Sequence, residues 1–559
     1  MNKPLALVFA LALAVPAMLA AAPTEEASGA VPADFDPQMP WDAFKDEPVT
    51  LTIWVDGGWP FPEVTNNPDS WLRQKMREDT GVTVDLQPGA GWGPEGLNLF
   101  IASGEYPDIM LLRQATQPTQ ILVENDVIYS WNEIRDLYGI DVMTEMNINT
   151  RFNQRLRYGR DDLYISAFYS IPDRYLDSPW VVKYQSGTMI NDTVYEQMGR
   201  PPIDSMDAMI DAAVQARNLH PERFRHPVMD VRNAGLENRW NFPHMIDRWR
   251  EFYDLRNPED YNTAGEPHRF FFQTDAFVEM LEDLNHMESL GLFNPILWTT
   301  TESQEKLALL NRGEIFIEGE DDADNVESRT RSMQEIYPGE RYAFLPRFSA
   351  DPAKYRNNPS GRVSVGWLGL TLPKNKETTL RAAAYVAYLM SEYFQKLQQF
   401  GVEGVHHDLV DGWPAMKPEI QAEYQADRTV AGLKYNFNLW HGAFRDDFWA
   451  MVKRQQEQKP MVEALNVIRP ALENFQDTSV SAEAAPVNYE TDSEENKIYS
   501  AIREVLGDGV TRIVLQSDDV AGDYAALLER VEELGVQVLN DLHTQHMIDF
   551  DALITKYNY

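Results

Sequence analysis

The stretch VTLTIWVDGGWPFPEVTNNPDSWLRQKMREDTGVTVDLQPGAGWGPEGLNLFIASGEYPDIMLL, residues 49–112, decides the fold. It contains three apolar runs typical of buried strands, which are VTLTIWV (49–55), VTVDLQ (82–87) and PDIMLL (107–112). The intervals carry helical patterns, WLRQKMREDTG (71–81) and LNLFIASG (97–104). Strands that alternate with helices predict a mostly parallel sheet with right-handed crossovers.

A second α/β stretch follows the first. Its patterns predict strands at GTMIND (187–192), EIFIE (314–318) and RVSVGWLGLTLP (362–373). They predict helices over 204–218, with Asp204 as the N-cap, and over 274–290, 303–312 and 377–400. From residue 494 onward the pattern is largely helical, with a strand or loop predicted at TRIVLQ (511–516).

Length and composition narrow the class of protein. A chain of 559 residues with 43% hydrophobic residues predicts several domains with real cores. The net charge of −38 argues against partners made of nucleic acid and against anionic membrane surfaces, because their phosphates would repel the protein. The absence of cysteine excludes disulfides, thiolate catalysis, zinc–thiolate sites and an acylated N-terminal cysteine.

The N-terminus predicts export. Lys3, the apolar run 5–15 and the small residues 20–22 have the order of a secretory signal peptide, which we place at 1–22. Residues 23–47 lack periodicity and indicate a leader or linker. No later run approaches ~18 apolar residues, so no direct membrane insertion is expected. Without a lipid-anchoring cysteine, a periplasmic location is favoured.

Two strand ends carry side chains suited to sugars. The first predicted strand runs into WVDGGW (54–59), where Asp56 and Trp59 flank two glycines that allow close backbone approach. The strand at 314–318 runs into EGEDD (318–322), where Glu318 and Glu320 begin an acidic loop. Ligands of parallel α/β sheets bind beyond the carboxyl ends of the strands, and sugars combine stacking on aromatic rings with hydrogen bonds to carboxylates. The alternative is that Trp54 is core and the acidic run a solvated loop.

The segment GWGPEG (91–96) has the glycine spacing of a dinucleotide-binding turn and lies between a strand and a helix. Pro94 stiffens it, and the following strand runs into Arg113 where an acidic residue would be needed. We therefore interpret it as a cleft loop that offers Trp92 and Glu95 to a ligand.

No cofactor is expected. His406 and His407 beside Asp408 could ligate a metal, but the few histidines do not favour it, and no catalytic nucleophile motif occurs. Structural calcium stays open, since oxygen donors without the twelve-residue order of a calcium loop occur at Asp254, Asn257, Asp260 and Asn262. A glycosidase carboxylate pair also stays open, because an acidic chain contains many such pairs.

Six segments in chain order resemble the family 1 extracellular solute-binding proteins, especially the branch called the LplA or polysaccharide-utilisation type. They are ASGEYPDIM (102–110), GTMINDTVYEQMGRPPIDSMDAM (187–209), HMESLGLFNP (286–295), NRGEIFIEG (311–319), FGVEGVHHDL (400–409) and DYAALLERVEELGVQVL (523–539). The chain departs from the family in lacking the lipobox cysteine. It also carries Glu318-Gly319-Glu320 where relatives often have Trp, so the ligand preference of relatives cannot be transferred.

The resemblance implies a type II periplasmic-binding-protein fold, with two α/β lobes, hinge crossings and a central ligand cleft. It places lobe 1 at 48–172 plus 365–440 and lobe 2 at 173–364 plus 441–559. Crossings are expected near 170–187, 362–370 and 435–450. Trp180 and Trp367 would then stand at the crossings beside the ligand, or serve only in hinge packing.

The resemblance also implies a function. The expected role is that of the substrate-binding component of an ABC-type importer, a monomer and not an enzyme, which captures a carbohydrate by cleft closure and delivers it to permease transmembrane subunits. Two alternatives stay open at this point: an exported glycoside hydrolase or lyase with a carboxylate pair, and a chemoreceptor-coupled sensor with the same fold.

Overall fold

The computed structural model describes most of the chain between residues 31 and 557. The described ranges are 31–57, 67–89, 95–114, 116–166, 171–176, 178–181, 186–229, 267–295, 303–346, 368–374, 376–435, 437, 447–473, 487, 489 and 493–557. The predicted signal peptide 1–22, the calcium candidates at 254–262 and the site residues Trp59, Trp92 and Trp367 lie outside these residues.

The described residues form a chain of strands and helices in the following order. The strands are β1 Val49–Val55, β2 Val82–Pro88, β3 Ile109–Arg113, β4 Ser186–Asn191, β5 Val228–Met229, β6 Ile317–Asp322, β7 Tyr342–Phe344, β8 Leu368–Thr371, β9 His407–Val410 and β10 Trp413–Met416. The helices are α1 Trp71–Thr80, α2 Glu95–Ser103, α3 Gln117–Glu124, α4 Trp131–Tyr138, α5 Ile148–Tyr158, α6 Asp192–Gln197, α7 Met206–Leu219, α8 Asp275–Ser289, α9 Ser303–Asn311, α10 Val326–Gln334, α11 Thr379–Met390, α12 Glu392–Phe400, α13 Pro418–Ala426, α14 Arg428–Tyr435, α15 Asp447–Glu457, α16 Lys459–Glu473, α17 Glu494–Gln516, α18 Val520–Glu533 and α19 Val536–Tyr557.

The first sheet has the order β2-β1-β3-β8 and is parallel except at β8. Its strands are apolar because both faces are covered: Leu51 and Ile53 are buried in one core, and Trp54 and Met110 are buried in another on the opposite face. Helices α1 and α2 connect the parallel strands, as the alternation of patterns predicts. The expected parallel sheet is therefore confirmed here, with one antiparallel strand added from a distant part of the chain.

The second sheet has the order β5-β6-β4-β7 and is mixed. Only β5 and β6 are parallel, and β4 runs antiparallel to both of its neighbours, β6 and β7. The prediction of a mostly parallel sheet was made from residues 49–112, and it does not extend to this second sheet.

The two four-stranded sheets are buried in different hydrophobic clusters, and these clusters define two lobes. The first lobe joins the cores around the first sheet to an aromatic cluster that includes Phe400, Phe448 and Trp449; Trp71 packs against both. The second lobe has one core, built from residues 189–345 and 461–539. The fold is thus a two-lobe α/β fold in which each lobe is discontinuous in sequence.

Among the described residues, the chain changes from one lobe to the other at three places. The first passage lies between Val181, which packs on the aromatic cluster, and Ser186 in β4. The second lies between Leu345 and Leu368. The third lies at Gln458, between α15 and α16, because Val452 is buried in the first lobe and Met461 in the second. The prediction placed this passage at 435–450 and began lobe 2 at 441, one helix too early.

The segment before β1 is part of the first lobe. Phe35, Trp41 and Phe44 pack on its core, and Phe44 is 6% exposed. Trp41 meets the ring of Tyr388 at 5.5 Å between centroids. The described part of the predicted leader, from residue 31, is therefore folded structure, and its scattered aromatic residues anchor it.

Two local predictions in the second lobe differ from the structure. Helix α7 is capped by Ser205, whose hydroxyl accepts from the amide of Ala208 at 3.2 Å, and not by Asp204. The segment 511–516 is the end of α17 and not a strand or loop. Its β-branched residues Ile513 and Val514 are buried against neighbouring helices, so tertiary packing outweighs their weak strand preference.

An ion-pair cluster fixes the start of α6 against β7. The carboxylate of Asp192 accepts from Arg200 Nη1 at 2.6 Å and from Arg341 Nη2 at 2.6 Å. Burial alone would raise the pKa of Asp192, but the hydrogen bonds from Arg200 and Arg341 outweigh it and the pKa is lowered. Asp192 therefore favours the folded state when it is ionised.

This cluster predicts a pH dependence of stability. Because the folded pKa of Asp192 lies below the unfolded one, its contribution is present above the unfolded value of about 4 and is lost as pH falls through the folded pKa. We expect Asp192→Asn to be less stable than the wild type at neutral pH, with the difference shrinking as the pH falls below the unfolded value of about 4. Urea unfolding between pH 2 and 7 measures this. The control Glu196→Gln, an exposed neighbour 4.0 Å from Arg200, should follow the wild type.

Candidate functional site

The strand ends of the first sheet meet the chain where it arrives from the second lobe. β1 and β3 are parallel and end at one edge, where the amide of Asp56 donates to Leu111 O at 2.9 Å. β8 runs the other way, so its first residue, Leu368, pairs with Arg113 at this same edge. The second passage therefore enters the first lobe at the carboxyl edge of its parallel strands.

The second sheet has the corresponding arrangement. β4 begins where β6 ends, since Ser186 pairs with Asp322. β7 ends at this edge as well, and the amide of Leu345 donates to Thr188 O at 2.9 Å. The first passage thus arrives, and the second departs, at the edge that carries the acidic run. The carboxyl edges of both sheets face the passages between the lobes, which is where ligands of open α/β sheets bind.

An ion pair occupies the carboxyl edge of the first sheet. Asp56 is 2% exposed, and its two carboxylate oxygens accept from Arg113 Nε at 3.0 Å and Nη2 at 3.2 Å. The Arg113 side chain keeps 20% of its surface exposed. Asp56, predicted as a ligand-binding carboxylate, therefore holds the guanidinium of Arg113 in place, and the more exposed polar group at this edge is the arginine.

Glycine lets the neighbouring strand ends come close together. A Cβ on Gly89 would lie 2.8 Å from Val55 O and 3.0 Å from Gly57 N. Any other residue at Gly89 would push the end of β2 away from the end of β1.

The GWGPEG segment leads into α2 as predicted. Glu95 is the first residue of α2 and is exposed. A Cβ on Gly96 would lie 2.9 Å from Cζ2 of Trp54, which is 5% exposed and packs beneath this helix. Trp54 is therefore core, in agreement with the alternative weighed for it, while Glu95 can reach solvent beside the edge.

The acidic run lies inside a strand instead of a loop. β6 extends over Ile317–Asp322, because the backbone of its acidic residues pairs with β4. Glu318 is 1% exposed and sits beside Met189 and Met229 of the adjacent strands, so its side chain is interior. The register shifts between Gly187 and Met189, a bulge that interrupts the pairing beside Glu320. Of the two predicted carboxylates, only Glu320 lies at the irregular end of the strand.

Trp180 lies in an aromatic cluster at the first passage. Its ring is 5.6 Å from that of Trp413 at an angle of 67°, and both indoles are half-buried. Trp413 also contacts Phe448 and Trp449 at about 6 Å between centroids.

The contact of α1 with this aromatic cluster shows on which side of the first sheet the cluster lies. Trp71, the first residue of α1, meets the ring of His406 at 4.5 Å. Because α1 starts where β1 ends, the cluster stands on the carboxyl-edge side of the first sheet.

The sequence reasoning missed Trp413 and the role of Arg113. Trp413 starts β10, which pairs with β9 through a two-residue turn at Asp411 and Gly412, both with positive φ. Asp-Gly between two short apolar runs is a signature of such a turn, so this hairpin was available from the sequence. The ion pair was not, because nothing local indicates that Asp56 and Arg113 meet.

The Nδ1 atoms of the two neighbouring histidines both lie against backbone atoms. His406 Nδ1 accepts from the amide of Val402 at 3.1 Å, and His407 Nδ1 lies 3.0 Å from Phe400 O. Burial lowers the pKa of His406, and His407 lowers it further. Among the described residues, no group of three or more His, Asp or Glu side chains could hold a metal ion. In the same part of the chain, no helix is long and apolar enough to cross a bilayer.

Comparison with solved structures defines the class of fold. The chain resembles the alginate-binding protein AlgQ2 solved without calcium ion, at 14% identity and a TM-score of 0.59, over 90% of this chain and 98% of that one. A human-milk-oligosaccharide (HMO) binding solute-binding protein from Bifidobacterium longum infantis matches at 13% identity and 0.59, over 90% and 99%. The Streptococcus pneumoniae substrate-binding protein FusA in complex with kestose matches at 12% and 0.59, over 90% and 100%.

These likenesses show that the chain has the two-lobe α/β fold of extracellular solute-binding proteins. No protein family and no curated protein matches it. A FusA structure is described as an EF-hand mutant, whereas the calcium candidates of this chain lie outside the described residues.

Proposed function

We propose that this protein is the substrate-binding component of an ABC-type importer, exported to the periplasm, which binds a carbohydrate between its lobes and delivers it to permease subunits without cleaving it. The observation that carries the proposal is the convergence of both carboxyl edges on the passages between the lobes. A ligand held there contacts both lobes, and their relative orientation can change about the chain passages that join them.

The chemistry at these edges suits a polyhydroxylated ligand. Arg113, oriented by Asp56, offers a planar set of N–H donors to hydroxyl or carboxylate oxygens. Trp180 and Trp413 offer indole faces on which the C–H surface of a sugar ring can stack. Glu95 and Glu320 are proposed as acceptors for hydroxyl groups, and Trp59, Trp92 and Trp367 remain predictions for further stacking. Glu318 is no longer proposed, because its side chain is buried.

Binding is proposed to shift an open–closed equilibrium. Only a ligand with higher affinity for the closed form shifts it, so both lobes must contribute contacts. Arg113 and the Trp180–Trp413 pair belong to the first lobe, and Glu320 to the second. The permease would then distinguish the closed form from the open one.

A titration tests the proposal. The intact protein is mixed with kestose, alginate oligosaccharides and mannose-containing N-glycan fragments while tryptophan fluorescence and small-angle X-ray scattering are recorded. We expect at least one glycan to change the fluorescence and reduce the radius of gyration. The proposal fails if a broad panel causes no compaction, or if the protein releases products from reporter glycans, which would identify a hydrolase or lyase.

The aromatic pair makes a separate prediction. Trp413→Ala removes one indole of the Trp180–Trp413 pair, and we expect the Kd for the bound glycan to rise about fivefold, the size of an aromatic contact of about 1 kcal/mol. Trp413→Phe is the control, since it keeps an aromatic face and packing on Trp449. Isothermal titration calorimetry measures both. If Trp413→Ala binds the glycan with the same affinity as the wild type, Trp413 is not part of the binding site.

A further inference from the structure

We infer that the C-terminal end of α19 is a releasable tether that joins the second lobe to the first, apart from the three chain passages. The tether comprises Lys556 and Tyr557 on one side and Arg155 and Asp161 on the other. It is an additional constraint on how the lobes move, and it does not depend on which ligand occupies the cleft.

The first half of α19 is firmly rooted in the second lobe. Val536 and Leu539 are buried in its core at 3% and 0% exposure. One turn later, Thr544 Oγ1 accepts from the amide of His268 at 2.8 Å, and His543 Nε2 lies 2.9 Å from the hydroxyl of Tyr489. This half of the helix therefore moves with the second lobe as one body.

The far end of α19 reaches the first lobe. Lys556 Nζ lies 2.8 Å from Asp161 Oδ1, and the hydroxyl of Tyr557 donates to the same carboxylate. The guanidinium of Arg155 covers the ring of Tyr557 at 4.4 Å, while its Nε donates to Asp161 O at 3.1 Å. The tip of the helix thus lies between a cation and a carboxylate that both belong to the first lobe.

The receiving surface is connected to the core of the first lobe. Arg155 lies on α5, whose Phe152 is fully buried and whose Gln154 Oε1 accepts from the amides of Tyr164 and Ile165 at 2.9 Å. Asp161 lies between α5 and that hydrogen-bonded segment. The tether therefore ends on a helix that packs in the first lobe and on the bend that follows it.

The contact is weak enough to release. The side chains of Lys556 and Asp161 are 54% and 69% exposed, so water and salt compete with their ion pair. The cation–π contact of Arg155 with Tyr557 adds a second small contribution. A helix rooted on one lobe and lightly attached to the other can hold the observed arrangement yet let ligand or permease binding break it.

The absence of native cysteine makes a direct test simple. Dyes are attached to Asp136→Cys in the first lobe and Glu196→Cys in the second, whose parent side chains are 68% and 65% exposed. Single-molecule energy transfer then reports the distance between lobes in the full-length, ligand-free protein. We expect the double substitution Lys556→Ala with Tyr557→Ala to lower the population of the observed lobe arrangement, relative to all other arrangements, by about fivefold. Raising the salt to 1 M should move the wild type in the same direction.

Control substitutions distinguish the loss of this contact between the lobes from other consequences of changing α19. Gln545→Ala removes an exposed contact with Asp549 on the same helix that does not reach the first lobe, and it should leave the distances unchanged. Asp161→Asn, on the other side of the contact, should act like the double substitution, and combining Asp161→Lys with Lys556→Asp should restore the wild-type ratio. The inference is overturned if the double substitution leaves the distance distribution unchanged, or if Gln545→Ala alters it equally.

Discussion

Replacing Gly369 by alanine is expected to lower the free energy of unfolding by about 3 kcal/mol. A Cβ at this position would lie 1.6 Å from Ser166 O and 2.3 Å from Ile165 Cγ2. Neither atom can yield easily, since Ser166 also exchanges hydrogen bonds with Leu370 of β8. The strand that carries the second passage into the first lobe would have to separate from its neighbour. Urea unfolding followed by tryptophan fluorescence measures the loss.

Gly339→Ala is the matched control for this substitution. Gly339 has a φ of +87°, and a Cβ added to it would have no neighbouring atom within 4 Å. Alanine there should therefore lower the free energy of unfolding only through the strain of a left-handed backbone, by about 1 kcal/mol. If Gly369→Ala costs no more than Gly339→Ala, the close approach of β8 to Ser166 is not what requires glycine.

The second large loss of stability is expected when the ion pair of Asp56 and Arg113 at the edge of the first sheet is broken. Arg113→Ala leaves the carboxylate of Asp56 buried without its cation, which should cost about 4 kcal/mol of unfolding free energy. The same variant should lose measurable binding of the glycan found in the titration. Calorimetry of binding and urea unfolding together measure the two effects.

A double-mutant cycle distinguishes a pair from two independent residues. Asp56→Ala should cost less than Arg113→Ala, because the freed arginine is already partly exposed and can turn to water. The variant that carries both Asp56→Ala and Arg113→Ala should lose less unfolding free energy than the sum of the two single losses. In glycan binding, Asp56→Asn should weaken affinity less than Arg113→Ala, since Asp56 acts by positioning. Additive stability losses would contradict this view.

The parts of the fold that depend on local patterns could be predicted from the sequence. The strands of residues 49–112 and the strand GTMIND follow from apolar runs bounded by turns, and the structure has them within about two residues. The two-lobe α/β fold is confirmed as well.

The wrong predictions concern segments whose structure depends on contacts with distant parts of the chain. The acidic end of β6 becomes strand only because β4 pairs with it, and the third passage falls at Gln458 because Phe448 and Trp449 find partners in the first lobe. No local pattern contains these partners.

The candidate site shows the same limit. Asp56 follows the end of β1, whereas Glu318 lies near the start of β6, and burial and partners decide what such carboxylates can do. One residue is held by Arg113 and the other lies inside the second sheet. Trp180 was predicted from its place near a crossing, yet its neighbour Trp413 comes from a hairpin far along the chain. Residue type could be predicted, whereas its surroundings required the structure.

The pairing of β3 with β8 has a consequence for how the protein matures. Residues 109–113 must find residues 368–371, with the entire second sheet made in between, so the first lobe cannot be completed until most of the chain has been synthesised. Such long-range pairing slows folding, because a large loop must close before contacts compensate for its entropy. We therefore expect a nascent chain that stays unfolded for an extended time, the state in which a polypeptide can be threaded through a translocation channel.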